Sequence, residues 1–512
     1  VTAPTRPPRE VVIGLDVGTT RVKAVAFGVG HEWQLAAVAE HAMQTPQPGW
    51  EVQDPDALLA AVASALGECV SRLDGAEVVA VSVATAMHGL LGLDAARRAR
   101  TALVTWADSR AADEARALRA EGGDELYRLT GVPTHPMTPL TKLRWFARHD
   151  AATWAAVDWW VGLKDWVLLW LTGELVTERS SAAGTGMLDL HTGDWSPVAL
   201  TAAGVDAARL PPVLPTTAVR TLAAPAATQV GLRTGTPVVV GAGDGPAANL
   251  GCGALAPGVA GLSIGTSGAL RMALDAPRLD DAGSLFCYPL TDSVWVAGGP
   301  ISNGGNVVRW AGRALAPDLV GAPGAAEGDD ALLALAATAP PGCEGLVMVP
   351  YLVAERAPMW DPDVPAAFLG LRPTHTRAHL ARAAVEGVCL NVALVLDQLD
   401  RLAPVRSVRA TGGTFESALW REVAGGLLDR PLQVLDGVEG TALGAAALGV
   451  FALGREPTLE AALASLCDLE AHLGPPETPP PELVATYRAV RHSVPGLVAG
   501  LGRLAPFYGE PS

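Results

Sequence analysis

The sequence predicts an α/β fold made of two similar lobes, and three observations point there. Short β-rich runs alternate with amphipathic helical stretches, the pattern of layered α/β structure. The alternation starts afresh in the second half of the chain. A turn of glycine and hydroxyl residues between two apolar strands occurs once in each half.

Taken in order, residues 11–15, 22–27 and 78–83 are strand-like, and residues 55–73, 109–121 and 164–171 have helical periodicity. In the second half, residues 238–240, 262–264, 346–349 and 407–411 are strand-like, and 376–402 and 442–453 are strong helices. Proline- and glycine-rich stretches at 322–326 and 474–481 mark loops. The 512 residues carry 37 Lys and Arg against 53 Asp and Glu, a formal net charge of −16, with no dense basic tract to replace counterions on a nucleic acid. At 49% hydrophobic and 18% charged, the composition supports a large core and excludes wholesale disorder. The six cysteines are scattered and never form C-x-x-C, so they read as reduced, small hydrophobes of a cytoplasmic protein. Residues 1–10 lack the apolar region of a secretory signal and read as a loose leader. The uncharged run 245–270 is broken by Pro246, Pro257 and glycines, and no membrane segment is expected.

The internal repeat carries the chemistry. Gly14-Leu15-Asp16-Val17-Gly18-Thr19-Thr20 and Gly261-Leu262-Ser263-Ile264-Gly265-Thr266-Ser267 each read as strand, tight turn and returning strand. Glycine lets the backbone approach a ligand, and the following N–H and hydroxyl groups can cradle phosphate oxygens; two ordinary hairpin turns are the alternative. Asp16 in the first turn stands where the second has Ser263. A carboxylate in so apolar a run suits Mg²⁺, although an Asp can also pin a turn through its own backbone. Arg21 and Lys23 share a strand face; they can reach phosphate or form exposed edge charges, and Arg21 is the candidate contact. After the strand at 236–240 comes Gly241-Ala242-Gly243-Asp244-Gly245, a carboxylate at a strand's C-terminal end. There it can accept an alcohol's proton during phosphoryl transfer, or serve as plain turn chemistry. Ala410-Thr411-Gly412-Gly413 ends another strand before a helix begun by Ser417 and Trp420, where paired glycines admit a flat base, a pyrophosphate or a closely packed helix. Residues 439–446 open an alanine-rich helix, read chiefly as core. No P-loop or protein-kinase catalytic loop is present. Gly251-Cys252-Gly253-Ala254 fits a permissive dinucleotide pattern, but Pro257 and Gly258 stand where its helix would continue.

The order of these motifs resembles the FGGY family of carbohydrate kinases, within the superfamily of actin, sugar kinases and the Hsp70 ATPase. The resemblance runs from about Val11 to Gly454. It implies two ribonuclease-H-like domains with an interdomain cleft: residues 11–254 holding sugar, residues 255–512 holding nucleotide, and a terminal helical segment after 482. It also implies ATP and Mg²⁺ and transfer to a primary hydroxyl. On the matching motifs Asp244 becomes the general base and Asp16 the Mg²⁺-associated carboxylate. Gly18, Thr19, Thr20, Arg21, Gly265, Thr266 and Ser267 become phosphate contacts, and Gly412, Gly413 and Ser417 nucleotide contacts.

Met87-His88-Gly89 and Trp106-Ala107-Asp108-Ser109-Arg110 are similar to the family's sugar-contacting segments. His88 and Asp108 are then polyol ligands, Trp106 an apolar wall, and Lys164 a further substrate contact; a satisfied core histidine is the alternative for His88. The segment Thr130-Gly131-Val132-Pro133-Thr134-His135-Pro136-Met137, continuing to Leu143, is similar to the gluconate-phosphorylating members, as are residues 301–306 and 355–360. A sugar acid needs a cation near its carboxylate, and Lys142, Lys164, His135 and Arg356 are unranked candidates. One departure stands out. Where the family usually has an arginine-glycine pair before a phenylalanine and Gly-Leu, this chain reads Asp363-Val364-Pro365-Ala366-Ala367-Phe368-Leu369-Gly370-Leu371. That loop lacks a basic residue, which bears on substrate and turnover more than on fold. The resemblance therefore points to D-gluconate and 6-phosphogluconate, with xylulose or another ketose or polyol as runner-up. An actin-like scaffold or an inactive sugar-binding regulator are the readings of other classes. The expected partner is a small sugar or sugar acid, not nucleic acid or membrane, with a homodimer left open.

Overall fold

The structure, a computed structural model, describes residues 9–319, 327–361 and 363–502. The leader through residue 8 and the loop at 322–326 lie outside these. The first half contains β1 (Glu10–Val17), β2 (Arg21–Gly28), β3 (Gln34–Glu40), α1 (Pro55–Ser71), β4 (Glu77–Thr85), α2 (Ala112–Thr130), α3 (Pro139–His149), α4 (Leu163–Thr172), β5 (Val219–Thr221), β6 (Pro237–Gly243) and α5 (Asp244–Gly251). The second contains β7 (Val259–Ile264), β8 (Gly268–Leu274), β9 (Phe286–Pro289), β10 (Trp295–Ile301), α6 (Gly305–Leu315), α7 (Arg377–Leu402), β11 (Ser407–Thr411), α8 (Ala418–Leu428), β12 (Leu432–Val434), α9 (Gly440–Ala452) and α10 (Pro481–Gly502). Shorter elements are named by residue.

Two six-stranded sheets result, ordered β5-β6-β4-β1-β2-β3 and β9-β10-β8-β7-β11-β12. Each is organised around an antiparallel hairpin, β1–β2 or β7–β8, whose first strand pairs in parallel with a later strand, β4 or β11. The predicted duplication is therefore topological as well as sequential. β1 and β2 are buried almost throughout, which explains why they read as continuous apolar runs.

Local signals fix the elements. Asp54 caps α1, accepting from the N–H groups of Asp56 and Ala57, and Pro55 occupies the first turn. Helix α2 starts three residues later than the sequence suggested and continues past it to Thr130, across a break at Gly122 whose φ is 157°. α7 is long and apolar enough to cross a membrane by length and composition, but 89% of its most apolar window is buried against the second sheet and its helices. α9 leaves the second sheet and packs on β1, β4 and α5. Its approach is backbone to backbone: a Cβ on Gly14 would lie 1.9 Å from the Ala442 carbonyl oxygen, and one on Gly444 equally close to that of Ala247. The reading of α9 as core holds, since Ala442 through Val450 are buried. All six cysteines are free.

Candidate active site

Both hairpin bends are built alike. β1 and β2 last pair at Val17 and Val22, leaving residues 18–20 as a bend that the Gly18 N–H closes on the Arg21 carbonyl at 2.9 Å. β7 and β8 last pair at Ile264 and Gly268, leaving residues 265–267 closed by the Gly265 N–H on the Ser267 carbonyl at 2.7 Å. The second bend abuts the N-terminus of α6: the Gly305 N–H donates to the Gly265 carbonyl at 2.8 Å, and Arg309 Nη2 to Thr266 Oγ1 at 2.8 Å. Gly305 also lines a cleft of about 600 Å³ with Gly413, Ser417 and Trp420, a volume in the range of nucleotide-sized pockets. Gly412 supports that cleft in a way a side chain forbids, because its φ is 108° and a Cβ would meet the Ile264 carbonyl at 2.5 Å. The cleft and the second bend are thus continuous.

Asp16 lies just before the first bend, opposite Lys23 in register. Lys23 Nζ is bound to Glu439 at 2.5 Å, which ties β2 to the residue preceding α9. Burial pushes the Asp16 carboxyl up to about 7, and the neighbouring Asp244 carboxylate reinforces it. Asp244 begins α5 directly after β6. Burial raises its proton affinity too, opposed by Arg271 on β8, by the Gly245 N–H at 2.8 Å and by Arg356. Two buried carboxylates, with Asp244 raising the proton affinity of Asp16, beside a bend of hydroxyls, offer oxygen donors of the kind that suits Mg²⁺.

The wall expected to face the sugar is assembled by three segments that the sequence had singled out separately. His135 meets Trp360 edge-on, ring centroids 5.4 Å apart. Glu355, fully buried, accepts from the Ser302 N–H at 2.5 Å and from Asn303 Nδ2 at 2.9 Å, so the stretch after β10 clamps the following Arg356. Arg356 donates to Ser302 Oγ and to the Ile301 carbonyl, and its Cζ lies 4.7 Å from the Trp106 ring centroid. The Trp106 indole N–H in turn donates to Thr19 Oγ1 at 2.9 Å, joining this wall to the first bend.

The two histidines here are opposite tautomers. Nδ1 of His88 lies 2.6 Å from the Gly184 carbonyl and must carry the proton, while burial pushes the ring down to about 3, so Nε2 is an acceptor. Nδ1 of His135 accepts from the Met137 N–H at 3.2 Å, and burial with Arg356 and Arg119 keeps that ring neutral, so its enclosed Nε2–H is a donor without a partner.

Four sequence expectations change. Lys164 is 1% exposed and its ammonium is occupied by the carbonyls of Val83, Val240 and Ala242. It straps the ends of β4 and β6 together, which holds Asp244 and the Met87-His88-Gly89 segment in place, and has no proton left for a substrate. Lys142 likewise gives its protons to the carbonyls of His88, Thr105 and Met137, at 2.6–2.8 Å. Asp108 is 1% exposed, and both oxygens accept from Arg110, at 2.8 and 2.7 Å, with the Glu51 N–H adding a third bond. It shapes the loop and is no free ligand for a polyol. Arg21 sits at the exposed rim, paired with Glu40 at 3.2 Å, the edge-charge alternative. Met87 packs beneath Gly243 and Gly184, and Gly89 lies against Leu103 and Leu163.

Sequence reasoning missed Arg271 and Tyr288. Arg271 Nε and the Tyr288 hydroxyl are enclosed without hydrogen-bond partners among the described residues, and both groups lie close enough to Asp244 to feel its charge. A signal existed for Arg271, a lone cation in the apolar strand Gly-Ala-Leu-Arg-Met-Ala-Leu, the same anomaly that marked Asp16.

Comparison with known proteins agrees with this architecture. Residues 11–251 match the FGGY family of carbohydrate kinases, N-terminal domain, and residues 260–453 match its C-terminal domain. The chain belongs to the FGGY family of carbohydrate kinases. It is a phosphotransferase with an alcohol acceptor, and the family uses ATP as donor. The chain is 35% identical to the gluconokinase of Bacillus subtilis over 88% of its length and 89% of that protein's, and 30% identical to the xylulose kinase of Escherichia coli over 90% and 94%. The crystal structure of gluconate kinase from Lactobacillus acidophilus superposes with a TM-score of 0.90 at 29% identity, covering 98% of this chain and all of that one.

Proposed function

We propose that this FGGY kinase transfers the γ-phosphate of ATP to the primary hydroxyl of a sugar acid, D-gluconate giving 6-phosphogluconate, in the cytoplasm. The observation that carries the choice of an acid over a ketose is the charge of the pocket. Beside Asp244 stand Arg271 and Arg356, and Arg356 also acts on His135, with enclosed N–H groups on Arg271 and His135 that no acceptor among the described residues uses. An uncharged sugar leaves such donors undercompensated, whereas an anion matches them. The 35% identity to a gluconokinase points the same way.

In this reading the bends at 18–20 and 265–267 hold the phosphates, and the cleft at Gly412, Gly413 and Ser417 takes the adenosine. Asp244 accepts the proton of the attacking hydroxyl, burial having raised its proton affinity above that of an exposed carboxylate. His88 Nε2 accepts a hydrogen bond from a substrate hydroxyl, and Trp106 supplies an apolar wall. Asp16 is the residue that would hold Mg²⁺, which when bound would neutralise phosphate charge. The test is a panel of aldonates, ketoses and polyols in a coupled ADP-release assay. Gluconate is expected to give the highest kcat/KM, and strong turnover of xylulose with none of gluconate overturns the reading.

A further inference from the structure

Arg119 on α2 was singled out by no motif, yet two of its guanidinium nitrogens, Nε and Nη2, are enclosed by protein and bonded to nothing among the described residues. Its surroundings show why it is held there. Asp361 and Asp363 both favour its charge, but neither forms an ion pair with it, and Asp363 is taken instead by Arg116 at 3.5 Å. The stem runs past Gly123, whose absent Cβ would sit 3.5 Å from the Arg119 Cγ and 3.6 Å from Thr134 Oγ1. The head therefore lies beside the loop of Thr134 and His135, and its charge is felt by the His135 ring. Enclosed guanidinium N–H groups without acceptors cost stability, and an arrangement that keeps them fits a ligand that supplies the acceptor.

The cations also have different neighbours. Arg271 belongs to the base, since a Cβ on Gly245, next to Asp244, would lie 3.2 Å from its Nε, whereas Arg119 belongs to the loop of Thr134 and His135. The two cations therefore serve different parts of the site, and the charge of Arg356 reaches both Asp244 and His135. A linear sugar acid with its primary hydroxyl at Asp244 extends its carboxylate toward the loop of Thr134 and His135.

We propose that Arg119, together with the Nε2–H of His135, forms the subsite that grips the substrate's carboxylate, with Asp361 and Asp363 orienting the guanidinium from the opposite half of the cleft. This inference rests on the sugar-acid reading. It makes the first half of the chain supply, from a helix, a cation that the second half's loop lacks.

The test compares D-gluconate with D-glucitol, which matches it carbon for carbon but carries an alcohol in place of the carboxylate. Arg119→Met is expected to raise the gluconate KM roughly 10- to 100-fold, the scale of one charge-assisted contact, with kcat little changed and the glucitol parameters unmoved. Arg119→Lys, which keeps the charge and stem but loses the planar fork, is expected to fall between the two and guards against a fold defect. His135→Gln, which retains a donor, is expected to cost less than His135→Leu. Equal losses on both substrates assign Arg119 a structural role and overturn the inference while the gluconate reading stands, as does an unchanged gluconate KM. A wild-type enzyme that phosphorylates no aldonate removes both.

Discussion

The two hairpins are one scaffold carrying opposite charge. In the first, Asp16 stands before the bend and Lys23 across from it is engaged by Glu439, so the net character facing the cleft is acidic. In the second, the equivalent of Asp16 is Ser263, whose hydroxyl lies 3.4 Å from Nη1 of Arg271, and the character is basic. Each bend is closed by a glycine N–H on a carbonyl across the turn, from Gly18 to Arg21 in the first and over the shorter span from Gly265 to Ser267 in the second. Duplication thus supplies two phosphate-sized bends, and a single acid-to-serine difference with a nearby arginine decides what each does. One suits a divalent cation; the other faces Asp244, the carboxylate proposed as the base.

Breaking the acidic side of the site, Asp16 of the first hairpin and the neighbouring Asp244, is expected to have the largest effect. Asp244→Asn should lower kcat about 10²- to 10⁴-fold while ATP binding, followed by calorimetry, persists. Asp16→Asn should also depress kcat strongly, but with a raised Mg²⁺ requirement that Asp244→Asn does not share. A second readout needs no turnover. The Asp16 carboxyl is held near 7 by burial and by Asp244, above its ordinary 3.8. Between those values the folded protein keeps a proton that the unfolded chain gives up, so Asp16 lowers stability progressively as pH rises through that window and leaves it lower above. Without Mg²⁺, Asp16→Asn should therefore melt higher than the parent at pH 8 and nearly equal to it at pH 4. Equal melting at both sinks the claim that the fold holds the Asp16 carboxyl above its ordinary value.

Breaking the basic member is expected to do less. Arg271 opposes the burial of Asp244's charge, so Arg271→Met should push the Asp244 proton affinity higher still and leave less of the base ionised. The acidic limb of the kcat/KM profile should move to higher pH, with a loss of about 10- to 100-fold at pH 7. A limb that stays fixed, or moves down, separates Arg271 from the base and dissolves the contrast between the hairpins.

The sequence made the hairpins legible because their chemistry violates their surroundings. A carboxylate inside Val-Val-Ile-Gly-Leu is costly unless used, and glycines at strand ends have few other reasons to recur in register. The same logic finds Arg271 when applied to β8. Lys164 and Asp108 misled for the converse reason: their types suit a sugar pocket, but only coordinates show that three carbonyls and one guanidinium already occupy them. Arg119 left no trace, since an arginine in an amphipathic helix is ordinary and its lack of partners is a tertiary fact. The segments at 130–143, 301–306 and 355–360 were each recognisable, yet their convergence through His135, Trp360 and Glu355 depends on how the halves close.

Trp106 offers the finest cut, because it joins the first bend to the cationic wall by two separable interactions. Its indole N–H holds Thr19 Oγ1, and its ring lies under Arg356. Trp106→Phe deletes the hydrogen bond but keeps an aromatic face for the guanidinium, so about 0.5–1.5 kcal/mol, roughly 2- to 10-fold, is expected in kcat/KM. The loss should appear in the KM for ATP, because Thr19 belongs to the bend and not to the sugar wall. Trp106→Leu removes the face as well and should add a rise in the KM for gluconate. If the phenylalanine variant instead loses affinity for gluconate alone, the Thr19 bend is not read by the nucleotide, and the pairing of the two hairpins on one triphosphate fails at its first member.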